Sequence, residues 1–109
     1  MRPGKRKSKH ARRERHIDYM IWVKTLPCLA RDAGGCTPDE DGHVEAAHVG
    51  DAVGRYGRED LDTVPLCSMH HRINGFDTYS GPFKGWSRLE RFAWATKAIT
   101  ETRAAYKGR

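Results

Sequence analysis

Hydrophobic side chains recur at helical spacing in two stretches, one toward each end of the chain. The first stretch predicts a helix from about Lys9 to Leu26, and Pro27 ends it because proline cannot continue the hydrogen-bond pattern. Its repeat is carried by Ile17, Met20, Ile21 and Lys24. The second stretch predicts a helix from about Trp86 to Tyr106. We expect one stripe of this second helix to contact the core, formed by Trp86, Leu89, Phe92, Ala93, Thr96, Ile99 and Tyr106.

The segment between these helices has the pattern of two strands followed by a short helix. HVEAAHV (43–49) predicts a first strand, and LDTVPL (61–66) predicts a second strand in which Pro65 indicates an edge or a bulge. A glycine-rich connection joins the two strands. A short helix then follows and stops at Asn74-Gly75, and a loop leads to the last helix. The sequence therefore predicts a small α+β fold, with a helix packed on either side of a strand, strand, helix core.

The composition allows one small domain. The 109 residues are 38% hydrophobic, and no apolar run approaches the roughly 20 residues that span a bilayer. The cysteine count is odd, at three, and the chain starts with charged rather than apolar residues, which argues against a secreted disulfide framework. We therefore expect a cytoplasmic protein, with a disordered basic arm over 1–8 and one domain over 9–109. Domains this small commonly need a staple such as a metal.

The positive charge of the chain is concentrated at its start. The formal net charge is +6, yet residues 1–15 alone carry +7 and the remainder carries −1. Basic arms of this kind track phosphate backbones, so we expect contacts to nucleic acid from Lys5, Arg6, Lys7, Arg12 and Arg13. A solubilising tail or a localisation signal is the alternative interpretation of the same charges.

Four Cys and His residues have a spacing that suits a structural zinc ion. Cys28 and Cys36 border one loop, and Cys67 and His70 form a Cys-x-x-His pair at the start of the short helix. Three thiolates and one imidazole can close a tetrahedral zinc site. The alternatives are small buried cysteines without a metal, or His43 as a substitute for one of the four ligands.

A second set of polar residues brackets the two predicted strands: His48, Asp62 and His71. Adjacent residues on a helix point about 100° apart, so His70 and His71 cannot both serve one tight site. If His70 turns toward the cysteines, His71 faces another direction. We therefore expect a second, open site on the other side of the helix from the zinc.

The motifs VEAAHVG (44–50) and DLDTVPLCSMHHRING (60–75) resemble the HNH endonuclease family, in particular its zinc-containing phage and prophage members. The resemblance covers roughly residues 20–80 and implies a ββα-metal, treble-clef-like motif over 28–75. It further implies that His48 is the general base, Asp62 the middle residue that holds the loop or the His48 ring, and His71 the ligand of a catalytic divalent metal. The two zinc half-sites would be Cys28 with Cys36, and Cys67 with His70.

The chain departs from the family pattern at two positions. Ala47 stands where many members have a metal ligand, and Gly75 stands where some members have a further histidine. Glu45, on the same face of the strand as Ala47, or Asp51 could compensate. A hard ion such as Mg2+ keeps several waters and accepts few protein ligands, so a sparse site is compatible with catalysis.

These observations favour a metal-dependent endonuclease that nicks double-stranded DNA. Neutral His48 would activate water, and a divalent cation on His71 would stabilise the leaving group. Phosphate contacts would come from the arm and from Arg55, Arg58 and Arg72. The alternative is a catalytically inactive, zinc-stabilised module that binds nucleic acid. Further expectations are a monomer or weak dimer, and phage packaging or recombination proteins as partners.

Overall fold

The structure, a computed structural model, describes residues 16–36, 44–54 and 59–107. Its main elements are helix α1 (Ile17–Val23), strands β1 (Val44–His48) and β2 (Thr63–Cys67), a π-helix (Met69–Ile73) and helix α2 (Arg88–Lys107). Short 3-10 helices cover Arg31–Ala33, Gly50–Val53, Asp60–Asp62 and Gly81–Phe83. The prediction of a small α+β fold is confirmed. Within the described ranges, no helix is both long and apolar enough to cross a membrane.

The sheet consists of two antiparallel strands. Val44 lies opposite Cys67 at one end, and His48 lies opposite Thr63 at the other. Four residues of extended chain separate these ends by about 13 Å. Pro65 is accommodated within β2 because both strands of a two-stranded sheet are edges, where a missing N–H group is tolerated. The sheet therefore carries a cysteine at one end and a candidate catalytic histidine at the other.

Helix α1 packs on both strands of the sheet. Tyr19 and Val23 are buried, whereas Ile17 and Ile21 are exposed. The aromatic contact with the last helix accounts for this orientation, since the Tyr19 ring packs edge-on against Tyr106 with centroids 4.9 Å apart. The helix predicted from about Lys9 to Leu26 is observed over Ile17–Val23, and residues 9–15 lie outside the described residues.

Helix α2 begins with a capping box. The Ser87 N–H donates to Glu90 Oε1 at 2.7 Å, and the Glu90 N–H donates to Ser87 Oγ at 3.1 Å. The predicted core stripe of this helix is correct only in part, because Ile99 is buried whereas Leu89 and Phe92 are 74% and 45% exposed. The buried face is formed by Arg91, Ala95, Ala98, Ile99 and Thr102.

Most of the aromatic side chains in the core beside α2 come from the loop before it. Phe76 and Phe83 are almost fully buried and meet edge-on, with ring centroids 5.3 Å apart. Trp86 and Trp94 complete the cluster. Because the loop supplies much of this bulk, small residues make up part of the buried face of α2, namely Ala95, Ala98 and Thr102, while Leu89 and Phe92 remain at the surface.

Candidate metal centre and adjoining cleft

The four residues predicted to bind zinc come together in the structure. Cys28 lies shortly after α1, Cys36 follows a 3-10 turn, Cys67 ends β2, and His70 lies on the π-helix. Their four ligand atoms all lie within 4.8 Å of one another, and every residue of the group except the half-buried Cys36 is buried. The sheet end that carries Cys67 is therefore the meeting point of four chain segments at one candidate metal centre.

The geometry of this cluster matches a tetrahedral ion. His70 Nδ1 lies 3.5 Å from the sulfur of Cys28, 3.6 Å from that of Cys36 and 3.5 Å from that of Cys67. A tetrahedral zinc ion, with Zn–S about 2.3 Å and Zn–N about 2.0 Å, separates each sulfur from the nitrogen by about 3.5 Å. The backbone N–H groups of Ala30 and His70 each donate to a cluster sulfur at 3.4 Å, as outer hydrogen bonds to metal-bound thiolates do.

The pKa values of the thiols bear on whether the cluster holds a cation. Burial, followed by the neighbouring thiols, raises the pKa of Cys36 to about 12, and burial likewise raises the pKa of Cys28. Thiols with raised pKa values keep their protons at neutral pH, whereas a metal ligand must be a thiolate. A divalent cation compensates for this by neutralising the thiolates, and its binding releases the protons. The four residues could thus hold a metal such as zinc.

A separate cleft of about 440 Å³ lies beside the metal centre and brings together His48 and His71. His48 ends β1, and His71 follows His70 on the π-helix. Of these two adjacent histidines, His70 therefore belongs to the cluster and His71 lines the cleft. The cleft is otherwise lined by polar groups and one aromatic ring: Gly50, Asp51, Glu59, Asp77, Tyr79 and Arg91.

A buried carboxylate holds the His48 ring. His48 Nε2 lies 3.3 Å from Asp60 Oδ1, and Asp60 is fully buried. The other oxygen of Asp60 accepts the backbone N–H of His16 at 2.8 Å, which fixes the orientation of the carboxylate. The sequence does not single out Asp60, because nothing in the local pattern distinguishes it from the nearby Asp62.

Asp62, the predicted middle residue, is also buried and pairs with helix α2. Its Oδ1 lies 2.9 Å from Arg103 Nη2, and the same guanidinium donates from Nε to the Leu61 carbonyl oxygen at 2.7 Å. The other oxygen lies only 2.7 Å from where a Cβ on Gly50 would stand, so glycine is needed there. Asp62 thus ties the segment before β2 to helix α2.

His71 lies between two carboxylates. Its Nδ1 is 2.7 Å from Glu45 Oε1, and its Nε2 is 3.3 Å from Asp77 Oδ2. Burial acts to lower the pKa of His71, but the hydrogen bonds to Asp77 and Glu45 outweigh it, so the pKa is raised. Arg72 holds Glu45 from outside, and its hydrogen bond is the main reason that the Glu45 pKa is lowered.

The turn after the π-helix explains why position 75 is glycine. A Cβ on Gly75 would stand 1.8 Å from the His70 carbonyl oxygen, so a larger residue, histidine included, cannot occupy the position. The chain folds back at once, with the Phe76 N–H donating to the His70 carbonyl at 2.8 Å and the Asp77 N–H to the His71 carbonyl at 2.9 Å. The tight turn therefore brings Asp77, which the sequence did not indicate, alongside the His71 ring.

Most of the basic residues predicted to contact nucleic acid lie outside the described residues, namely Lys5, Arg6, Lys7, Arg12, Arg13, Arg55 and Arg58. Arg72 is described; it is exposed and bonded to Glu45. The cation that does line the cleft is Arg91 of helix α2, which lies beyond every motif recognised in the sequence. Only the tertiary fold brings it there.

The chain matches no family model, no curated protein and no solved structure. In the part of the chain that the structure describes, the Cys28, Cys36, Cys67 and His70 group is the one cluster in which three or more potential metal ligands converge. The polar cleft beside it offers fewer ligands for a metal, but it adds a histidine held by a buried carboxylate.

Proposed function

We propose that this protein is a metal-dependent endonuclease of the HNH kind, which hydrolyses DNA phosphodiester bonds one strand at a time. The observation that carries the proposal is the division of labour between His70 and His71. The first faces the three sulfur atoms, and the second opens, with His48, onto one polar cleft. This arrangement supports an enzyme in which a rigid structural centre holds an adjacent reactive site in place.

His48 is the general base in this proposal. An Nε2–H donated to Asp60 gives the neutral ring its basic lone pair on Nδ1. The ring takes one proton from a water molecule, whose oxygen forms the new bond to phosphorus while the bond to the 3′ oxygen breaks. The leaving oxygen gains a proton from solvent, so the products are a 5′-phosphate and a 3′-hydroxyl.

His71 and Asp77 are the residues that would hold a divalent cation such as Mg2+. Their facing atoms are 3.3 Å apart, close to the separation of about 3.0 Å between neighbouring ligands of an octahedral ion bound at about 2.1 Å. When bound, the cation supplies charge neutralisation on the phosphate and on the departing oxygen. Asp51 lines the same cleft and is available to the waters that such an ion retains.

We assign Zn2+ to the cluster of Cys28, Cys36, Cys67 and His70, in a ββα-metal arrangement. Three soft sulfur donors and one imidazole favour zinc over magnesium or calcium. The fourth ligand comes from the π-helix, so a bound metal would hold this helix against β2 and would thereby hold His71 at the cleft. The zinc ion would thus be structural, and it would affect the reaction only by holding His71 in position at the cleft.

A plasmid-nicking assay tests the proposal. Supercoiled plasmid is incubated with the protein and Mg2+, Mn2+ or Ni2+, beside His48→Ala and a control variant at the exposed Lys97, Lys97→Ala. We expect divalent-dependent nicking by the native protein and the control, and its loss in His48→Ala. Equal nicking by all three proteins would indicate a contaminating nuclease and remove the support for His48. Plasmid that is shifted on a gel but never cut would favour the zinc-stabilised binding module.

A further inference from the structure

Arg91 is a buried cation whose side chain contacts two aromatic rings and one carbonyl oxygen. Its side chain is only 8% exposed, and its guanidinium carbon lies 3.8 Å from the ring centroid of Phe76 and 3.9 Å from that of Tyr79. Nη1 donates to the Phe76 carbonyl oxygen at 2.8 Å. Throughout residues 16–36, 44–54 and 59–107, no carboxylate forms an ion pair with Arg91. Buried charges in proteins are normally paired, so this guanidinium is built to receive an anion.

The direction from which that anion would come is given by the cleft. Arg91 lines the cleft that contains His48 and His71. A guanidinium has five N–H donors in a planar fork, and the Phe76 carbonyl accounts for one of them. The two stacked rings hold the fork in one orientation, as bidentate binding of a phosphate requires.

A second hollow, of about 600 Å³, adjoins the first and shares Asp51, Tyr79 and Arg91 with it. Apolar side chains form much of its wall, and two of them, Leu89 and Phe92, are exposed large hydrophobic residues of α2. The rest of the wall consists of Ala52, Val53, Gly54 and Arg88. An apolar hollow joined to a polar cleft through an arginine is complementary to a nucleotide, whose base would occupy the hollow and whose phosphate would bind the arginine.

Tyr79 stands at the junction in a strained conformation. Its φ is 55°, in the left-handed region that non-glycine residues rarely adopt, and its side chain is 58% exposed. Backbone strain of this kind persists where the surrounding structure enforces it, and it is concentrated at binding and active sites. One interaction of the ring is the stack on Arg91, and its exposed surface is a platform on which a base can stack.

We propose that the second hollow binds the base of an unpaired nucleotide whose phosphate lies on Arg91, next to the linkage that is cut. This inference rests on the proposed nuclease function and adds a substrate class to it. A base within a duplex has both faces covered by its neighbours, so only a single-stranded or extruded nucleotide can stack on Tyr79 and enter the hollow. The enzyme would therefore act beside unpaired nucleotides in preference to continuous duplex.

The test measures binding apart from cleavage. In a His48→Ala background, fluorescence anisotropy at one salt concentration gives the Kd for a labelled single-stranded DNA oligonucleotide and for the same sequence as a duplex. We expect the single strand to bind more tightly, although the duplex has the higher charge density. Tyr79→Asn, which removes the ring and suits a left-handed backbone, and Phe92→Ala should each weaken single-strand binding by about tenfold. Neither change should alter duplex binding.

Two control variants separate the hollow from general surface effects. Ile21→Ala removes an exposed apolar side chain on α1, outside the hollow, and should bind both DNAs like the parent. Arg91→Met should weaken single-strand binding by about tenfold, whereas Lys97→Met, which removes an exposed cation from the same helix outside the hollow, should not. Should Arg91→Met fail to fold, Tyr79→Asn and Phe92→Ala still decide the matter.

The two proposals fail in different ways. Equal affinity for single strand and duplex, or unchanged single-strand binding by both Tyr79→Asn and Phe92→Ala, overturns the base-binding hollow even if the native protein nicks plasmid. A native protein that never cuts, yet prefers the single strand and loses that preference in the two variants, overturns the nuclease and supports the hollow.

Discussion

Replacing Asp60 with asparagine tests His48 as the base, because the substitution keeps the shape of the side chain and reverses one hydrogen bond. One oxygen of Asp60 accepts the His16 N–H at 2.8 Å, and the other lies 3.3 Å from His48 Nε2. Asparagine must turn its carbonyl oxygen toward His16, because a backbone N–H can only donate. Its NH2 group then faces Nε2, which must supply a lone pair. The ring proton moves to Nδ1, the atom that should accept a proton from water.

The magnitude follows from the burial of this pair. Asp60 is fully buried, so solvent cannot compensate for mismatched groups. Returning to the active tautomer would lose a hydrogen bond worth about 0.5–1.5 kcal/mol and leave two donors facing each other, at a cost of about 1–3 kcal/mol. The active tautomer therefore lies about 1.5–4.5 kcal/mol higher, which corresponds to a roughly 10- to 2,000-fold lower kcat.

Single-turnover nicking of supercoiled plasmid at saturating protein measures this effect on the chemical step. Thermal unfolding followed by circular dichroism shows whether the variant remains folded, and Asp18→Asn, an exposed carboxamide substitution on α1, is the matched control. The control should nick at the native rate. A folded Asp60→Asn protein that nicks within about threefold of the native rate would refute the tautomer reasoning.

Replacing Cys67 with alanine should remove bound zinc and the helical signal together, because metal binding is linked to folding in small domains, and a folded metal-free variant would contradict this. Gly75→Ala should lower the unfolding free energy in urea by about 3 kcal/mol or more, because its Cβ would stand 1.8 Å from the His70 carbonyl. Gly34→Ala, which meets no atom within 4 Å and has a φ of 78°, should lose only about 1 kcal/mol. The pKa of His71 is raised, so its ring stays protonated to a higher pH than usual, and a protonated ring cannot bind a metal. The Mg2+ concentration that gives half-maximal nicking should therefore rise as the pH falls. If this concentration is the same at about pH 6 and about pH 8, the result would count against His71 as a ligand.

The sequence was informative where chemistry is encoded by short spacing. The Cys67-x-x-His70 pair fixes two ligands on one turn, and adjacent residues on a helix point about 100° apart, which separates His70 from His71, so the cluster and the cleft were both predicted. The order of the strands and the α+β class were predicted because glycine and proline mark the ends of helices and strands. These features depend on the local backbone, which a sequence pattern describes well.

The sequence was uninformative where a side chain acquires its role from a distant segment. Helical periodicity shows that one face of α2 is buried but not which one; here the aromatic loop before the helix favours Ala95 over Leu89. Asp60 becomes the partner of His48 through the register of two strands, and Asp77 reaches His71 through the tight turn at Gly75. None of these contacts has a signature in one sequence without relatives.

If the cluster holds zinc as proposed, the adjacency of His70 and His71 would make the cleft sensitive to the redox state of three cysteines that do not line it. A single peptide, with Cα atoms about 3.8 Å apart, connects the histidine that faces three sulfurs with the histidine that faces the cleft. Peroxide that oxidised two of these thiols to a disulfide would remove two donors from the metal and release the helix that both histidines share. Oxidation would then abolish the activity proposed for the cleft, although every group that lines the cleft remained chemically intact. A thiol reductant together with added zinc would restore that activity.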